Sequence, residues 1–373
     1  MQRVFPLLFK WFATLLALYV SGFACATTGP LAPGDEQPAP HIALLLPLKS
    51  AAFGPAAAAV QHGFLAAAGV EVTNPRSLPV RVYGCFDENN DIVALYRQAV
   101  ASGALAVVGP LTRSGVSALA AERYIPVPTL ALNVVDEPAA PRLYYFGMAA
   151  EAEARRVAQL AAQQGLHQAI VITTRMQLAQ RLQFAFEEAW QASGGEVVRE
   201  IEFNEDPTPL LDVVVAPGTM VFLATDADMA RLIRPYLPNK LPTYATSQIF
   251  VGNHDTLVNN DLNGIRFVDM PWLLQPDHPA VMIYPRASPP LSADHERLYA
   301  LGIDAFRLVH ALLAGNLDDI LPLDGVSGHI ELNDHTFQRA ALPSVFAQGR
   351  ARLSGAPAAP AIQMFPDQFS TKP

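Results

Sequence analysis

The sequence predicts an α/β fold: two doubly wound parallel-sheet lobes joined by a hinge. Three observations predict it. From His41 onward, short apolar runs alternate with segments of helical length, the pattern of βαβ units with parallel strands and helices on both faces. The alternation comes as two series that break near Phe146–Gly147. The chain is also 51% hydrophobic and only 16% charged, enough apolar surface to bury sheets on both faces and too much for a disordered chain. At about 150 residues per domain, 373 residues allow two or three compact units.

The first 25 residues read as an export signal. Arg3 and Lys10 flank the start, Trp11 to Val20 is apolar, and small residues Ala24-Cys25-Ala26 follow. The apolar run falls short of the roughly 20 residues that a membrane span needs. Cys25 is the candidate lipidation site. Gly22 stands where a lipobox carries leucine, so cleavage after Ala24 or Ala26 is the competing expectation. Residues 26–40, with Pro30, Pro33, Pro38 and Pro40 beside Gly29 and Gly34, have no apolar period and read as a tether.

In the first series, Ile42–Leu46 is a buried parallel strand stopped by Pro47. Gly54–Ala68 is an Ala-rich helix ending at Gly69. Val80–Tyr83 is a strand, and Asp91–Ser102 a helix capped by Asn90 or Asp91. Leu105–Val108 is a strand ended by Gly109-Pro110, followed by a helix over Ser114–Arg123 and a strand over Val127–Leu132.

In the second series, helices at Glu151–Gln164, Met176–Ala192 and Ala227–Tyr236 alternate with strands at Ala169–Thr173, Val197–Phe203, Met220–Ala224 and Thr243–Thr246. Asn263-Gly264 signals a turn before the alternating Ile265 and Phe267. An irregular stretch from Pro271 to Pro290 precedes a helix at Ala293–Ala314 and a hairpin, His329–Leu332 with Thr336–Leu342. The expected division is lobe 1 over 41–147 with 275–324, and lobe 2 over 148–274 with 325–366.

Charge and motifs exclude several functions. A net charge of −9 without a basic stripe gives no footprint for nucleic acid. Two cysteines make no disulfide framework, and Cys85 reads as a small buried thiol. Asp87 to Asp91 resembles the start of a calcium loop, but Ile92 and Gln98 stand where glycine and glutamate are needed, so helix capping is the better account. The nine histidines show no zinc spacing. Thr112-Arg113-Ser114-Gly115 lacks the glycines of a nucleophile elbow, and no phosphate-cradling glycine motif occurs. Glu151 and Glu153 open a helix, with Glu151–Arg155 an i,i+4 pair. The reading therefore names no catalytic residue, no metal and no cofactor.

Ligands of two-lobed α/β proteins sit at the carboxyl ends of strands. Ser50, Thr112, Ser114, Asn133, Asp226 and Thr246 occupy those ends and are the candidate cleft residues. Their competing role is as helix caps and turns. Asp269, Met270, Pro271 and Trp272 form a bulky segment at the lobe junction, either packed in the hinge or touching a partner.

Several stretches, taken together, resemble one family. They are Ile42–Leu48, Gly63–Ala67, Val107–Leu111, Pro128–Asn133, Tyr145–Gly147, Leu241–Ser247, Asp261–Leu274, Tyr299–Phe306 and Gly325–Ile330. In this order they are similar to the penicillin-binding protein activator family of LppC/LpoA type, over about residues 41–350. The resemblance implies a type I periplasmic-binding-protein fold. It also implies a non-enzymatic lipoprotein of the Gram-negative outer membrane that stimulates a class A penicillin-binding protein, a bifunctional peptidoglycan synthase. Longer members carry an N-terminal helical-repeat domain; here the segment before His41 reads as signal and tether. The alternative is a periplasmic solute-binding protein that closes on a small polar ligand such as an amino acid.

Overall fold

Strand β1 (His41–Leu46) is buried at all six positions. Its side chains are apolar on both faces because both faces are covered. Ile42, Leu44 and Leu46 share a core with Val60, Phe64 and Phe306, while Ala43 and Leu45 share one with Ile92, Tyr96 and Leu119. The computed structural model describes residues 38–71, 77–253, 256–315 and 317–354. The signal segment with Cys25, nearly all of the tether and positions 355–366 lie outside the described residues.

In the first series, β1, β2 (Val80–Gly84), β3 (Ala104–Val108), β4 (Thr129–Ala131) and β5 (Leu143–Phe146) alternate with α1 (Gly54–Val70), α2 (Glu88–Ala101) and α3 (Arg113–Ala120). The second series begins with α4 (Ala150–Gln163). It continues through β6 (Gln168–Thr173), α5 (Gln177–Ala192), β7 (Glu196–Glu202), β8 (Thr219–Ala224), α6 (Ala227–Ile233), β9 (Thr243–Ala245), α7 (Thr256–Asn260) and β10 (Ile265–Asp269). The chain then runs through α8 (Pro271–Leu274), α9 (Pro279–Met282), α10 (Ala293–Ala314) and α11 (Leu317–Ile320). Five strands follow: β11 (Leu323–Asp324), β12 (His329–Asn333), β13 (Thr336–Ala340), β14 (Leu342–Ala347) and β15 (Arg350–Leu353).

The first sheet has the order β2-β1-β3-β4-β5-β13-β12-β11 and the second β7-β6-β8-β9-β10-β14-β15. The first five strands of each are parallel neighbours in the same order. Each lobe is thus a doubly wound unit with its switch point between its first and third strands. Antiparallel strands finish both sheets.

Three expectations need correction. The hairpin β12–β13 extends the first sheet, with Phe337 beside Phe146, so the lobe-2 segment expected from residue 325 begins only after Ala340. The return to lobe 1 occurs at Met270, not after Leu274, because Met270 and Trp272 lie in the core of the first sheet. The chain therefore crosses between lobes three times: after β5, between Asp269 and Met270, and between Ala340 and Leu342. Last, α2 starts at Glu88 under an Asp87 cap whose carboxylate accepts from Asn89 N at 3.0 Å. That realises the capping reading, but with a different residue.

The long helix α10 has the ends its sequence calls for. Ser292 Oγ caps its N-terminus, Asp294 and Glu296 lie in the first turn, and Gly315 closes it with φ near 70°. It packs on α1 through glycines at the contact, where a Cβ on Gly302 would lie 2.1 Å from Val60 O. No described helix is long and apolar enough to cross a membrane.

Candidate functional site

Five of the six strand-end candidates form internal bonds that hold loops and helix ends. Ser50 Oγ accepts from Phe53 N at 3.3 Å. Thr112 caps α3, its Oγ1 accepting from Gly115 N at 3.2 Å, and the exposed Ser114 Oγ lies 3.3 Å from that hydroxyl. Asn133 donates to Leu111 O at 3.0 Å. Asp226 caps α6, accepting from Met229 N at 2.9 Å. Thr246 is buried, and its Oγ1 has no hydrogen-bond partner among the described residues.

The residue that decides the chemistry at the first lobe's strand ends is Glu88. Its buried carboxylate accepts from Leu111 N at 2.9 Å and from Thr112 N and Thr112 Oγ1 at 2.6 and 2.7 Å. An α-helix N-terminus offers unpaired N–H groups to an anion. Here the chain's own side chain takes the two N–H groups that lead into α3, those of Leu111 and Thr112. Burial raises the Glu88 pKa, and the donated hydrogen bonds oppose that shift.

Glu88→Ala is expected to destabilise the chain by about 2–4 kcal/mol, because it strands two backbone donors in a buried site. Thermal unfolding checks this, and a loss below about 0.5 kcal/mol would contradict the cradle. The raised native pKa also fixes a sign. The native carboxyl keeps its proton to higher pH than an unfolded one, whose reference value is 4.5. Its stabilising contribution is present below that value and is lost as pH rises through the raised one. Glu88→Gln does not titrate, so its stability relative to the parent should improve from about pH 4 to about pH 7.5.

A second polar system joins the lobes. Arg297 on α10, 5% exposed, donates to both Asp269 carboxylate oxygens at 3.1 and 2.7 Å. It also donates to Ser247 O and Phe250 O, in the loop after β9, at 3.0 and 2.8 Å. Burial alone would lower the Arg297 pKa, but the Asp269 charge and hydrogen bonds, helped by Glu153 and Asp294, raise it instead. Ser247 N donates to Glu153 Oε2 at 3.0 Å, and Glu153 Oε1 accepts from Arg339 of β13 at 3.1 Å. Arg339 also donates to Gly147 O at 3.4 Å, at the first crossover. Nearby, buried Asp304 accepts from Val326 N, Ser327 N and Ser327 Oγ at 3.1, 2.7 and 2.6 Å, fixing the turn before β12.

Asp269, Met270, Pro271 and Trp272 are all buried. Trp272 donates to Glu296 at 2.5 Å, and the Arg286 guanidinium lies 3.7 Å from its ring centroid. The segment packs inside the molecule, with Met270 and Trp272 in the core of the first sheet. The expected Glu151–Arg155 pair is also replaced. Glu151 pairs with Arg181 at 2.7 Å and Arg155 with Glu188 at 3.4 Å, because α5 lies alongside α4 and offers closer partners. Cys85 is buried, with burial pushing its thiol up to about 11. Sequence reading missed Glu88, Arg297 and Arg339 as structural groups and gave Glu153 only a place in the first turn of a helix. Only the position of Glu88 beside a cap residue carried any signal.

Two doubly wound lobes joined by three crossovers define the periplasmic-binding-protein architecture of type I. Comparison with known proteins agrees. The family model described as "LppC putative lipoprotein" matches residues 31–216 and 217–340, and the chain belongs to that family. Among curated relatives, "Penicillin-binding protein activator LpoA" of Photobacterium profundum is 24% identical over 335 residues, covering 79% of this chain and 53% of its own. The protein of that name from Haemophilus influenzae is 28% identical over 271 residues, covering 67% of this chain and 44% of its own. The chain thus spans about half the length of these curated relatives.

Solved structures give the same fold. The Haemophilus influenzae LpoA C-domain, described as a regulator of PBP1A, superposes with TM-score 0.69 at 23% identity, over 84% of this chain and 99% of that one. A Chromobacterium violaceum protein described as a "putative branched-chain amino acid ABC transporter" has TM-score 0.71 at 38% identity, over 83% of this chain and 100% of that one.

Proposed function

We propose that this chain is a non-enzymatic protein of the bacterial envelope that binds a class A penicillin-binding protein and stimulates peptidoglycan synthesis. Membership of the LppC family and relatives named as activators support the reading. The observation that carries it is the state of the strand ends and hinge. The N–H groups of Leu111 and Thr112, just before α3, are filled by Glu88, and Arg297 and Arg339 tie the lobes through buried carboxylates. With five of the six strand-end candidates bonded internally, action by surface contact is favoured over capture of a solute. The same filling of Thr112 weakens the solute-binding alternative, in which its hydroxyl and N–H would have to hold a ligand. On this reading the N-terminal segment directs export and the protein works in the periplasm, anchored to the outer membrane when Cys25 is lipidated.

Stimulation requires tighter binding to the synthase's active conformation than to its resting one. A tenfold rate increase corresponds to a difference of about 1.4 kcal/mol. The test adds the purified exported chain to a class A synthase and follows glycan polymerisation and cross-linking. A saturable rise in rate, with binding over the same concentration range, is expected. Neither binding nor a change in rate would end the proposal, and turnover of a cell-wall substrate by the chain alone would end its non-enzymatic part.

A further inference from the structure

On the hinge side of the molecule a cleft of about 520 Å³ opens between α4 of the second lobe and the hairpin β12–β13 of the first. None of the six strand-end candidates lines it. Its volume lies in the range of small-molecule sites. Arginines from both lobes line it, in a chain that is acidic overall.

The charges in this cleft nearly all have partners. Arg339 pairs with Glu153 at 3.1 Å, His329 Nε2 lies 3.4 Å from Glu331, and Arg155 reaches Glu188 at 3.4 Å. Arg156 is the exception. This half-buried residue forms no ion pair or hydrogen bond among the described residues, and its Nε is shut off from solvent without an acceptor. A guanidinium presents five donors in a fixed planar fork that fits a carboxylate bidentately. The two Nη groups are not among the buried atoms, and they are the donors that a carboxylate in the cleft can reach. Gln159 and Gln338 line the same space and supply neutral hydrogen-bonding groups around it.

We propose that this hinge-side cleft binds a small carboxylate-bearing ligand, with Arg156 as the anchoring cation. The inference goes beyond the activator reading and does not depend on it. The carboxylate can come from a free dicarboxylate or from the C-terminus of a short peptide. Because the cleft is walled by both lobes, an occupant bridges them and favours the lobe arrangement that it binds.

The test is calorimetric titration of the whole exported chain with two probes, glutarate and N-acetyl-dialanine, each matched to an amide in which the carboxylate is blocked. Saturable binding with Kd below about 1 mM is expected for at least one free carboxylate, and none for its amide. The probe that binds identifies the source. Arg156→Gln should weaken binding at least about tenfold, with the thermal midpoint of the free protein unchanged; Arg156→Lys should fall between. No saturable heat from either probe up to about 10 mM, equal binding of the amide, or undiminished binding by Arg156→Gln overturns the proposal. The amide comparison uses only the parent chain, so the proposal stays open to refutation even if a variant folds poorly.

Discussion

Arg297→Met is expected to be among the most damaging single substitutions in this chain, destabilising it by about 3–5 kcal/mol. The reason lies in what it leaves behind. Asp269 is 1% exposed, and its two oxygens receive Arg297 Nε and Nη2. Removing the guanidinium leaves a carboxylate in a site that water does not reach, together with the carbonyls of Ser247 and Phe250 that shared the same nitrogen. The intact pair is a different matter, since a well-packed apolar replacement of both partners often matches a buried ion pair. Asp269→Leu combined with Arg297→Met should therefore recover a substantial part of the loss. Denaturant unfolding of the parent, both single variants and the double variant gives the coupling energy directly. A single-variant loss under about 1 kcal/mol, or strictly additive losses, would show that the pair does not hold the lobes.

That test bears on function through the crossovers. Asp269 ends β10 of the second sheet, and Arg297 belongs to α10, whose apolar face lies in the first sheet's core. Breaking the pair loosens the joint itself. If stimulation of a synthase depends on a fixed lobe arrangement, Arg297→Met loses it at temperatures where the chain remains folded.

Much of this architecture could be read along the sequence, because it follows from local pattern. The run Ile42–Leu46, the Ser292 cap and the Gly315 stop each carry their structural role in residue type. So did the caps at Thr112 and Asp226. What could not be read was set by distant partners. Leu143–Phe146 is a short run whose strand identity comes from its neighbours in the sheet, among them β13, just before which His335 Nδ1 lies 2.8 Å from Leu143 O across 192 positions. The same distance hid the membership of the β12–β13 hairpin. Arg297 looks like any charge on a long helix until its partner 28 positions earlier is placed beside it. Glu88 sits in an acidic run that reads as a solvated cap, yet it turns inward because α2 starts one turn earlier than the pattern suggests. Arg156 differs from Arg155 only in which side of α4 it occupies, and no periodicity shows that it lacks a partner.

Gly302→Ala gives the opposite sign to what helix propensity alone dictates. In an exposed helix interior, replacing glycine by alanine stabilises by about 1 kcal/mol. Gly302 lies inside α10, where a Cβ would come within 2.1 Å of Val60 O and 2.8 Å of Phe64 N on α1. The reciprocal position is as tight, with a Cβ on Gly63 reaching 1.9 Å from Tyr299 O. Those atoms are backbone and cannot rotate away, so the two helices must separate and give up packing around the Phe64–Phe306 edge-to-face contact at 5.2 Å. Overpacking of this kind costs about 1–3 kcal/mol and sometimes more, which outweighs the propensity gain. Gly302→Val adds two methyl groups at the same point and is expected to lose at least about 3 kcal/mol. Gly69→Ala supplies the control, since nothing lies within 4 Å of a Cβ there, on the exposed last turn of α1. It should leave the thermal midpoint unchanged or raise it, while Gly302→Ala lowers it. If both substitutions raise the midpoint, the close approach of α1 and α10 is wrong, and with it the packing that seats Arg297 against the second lobe.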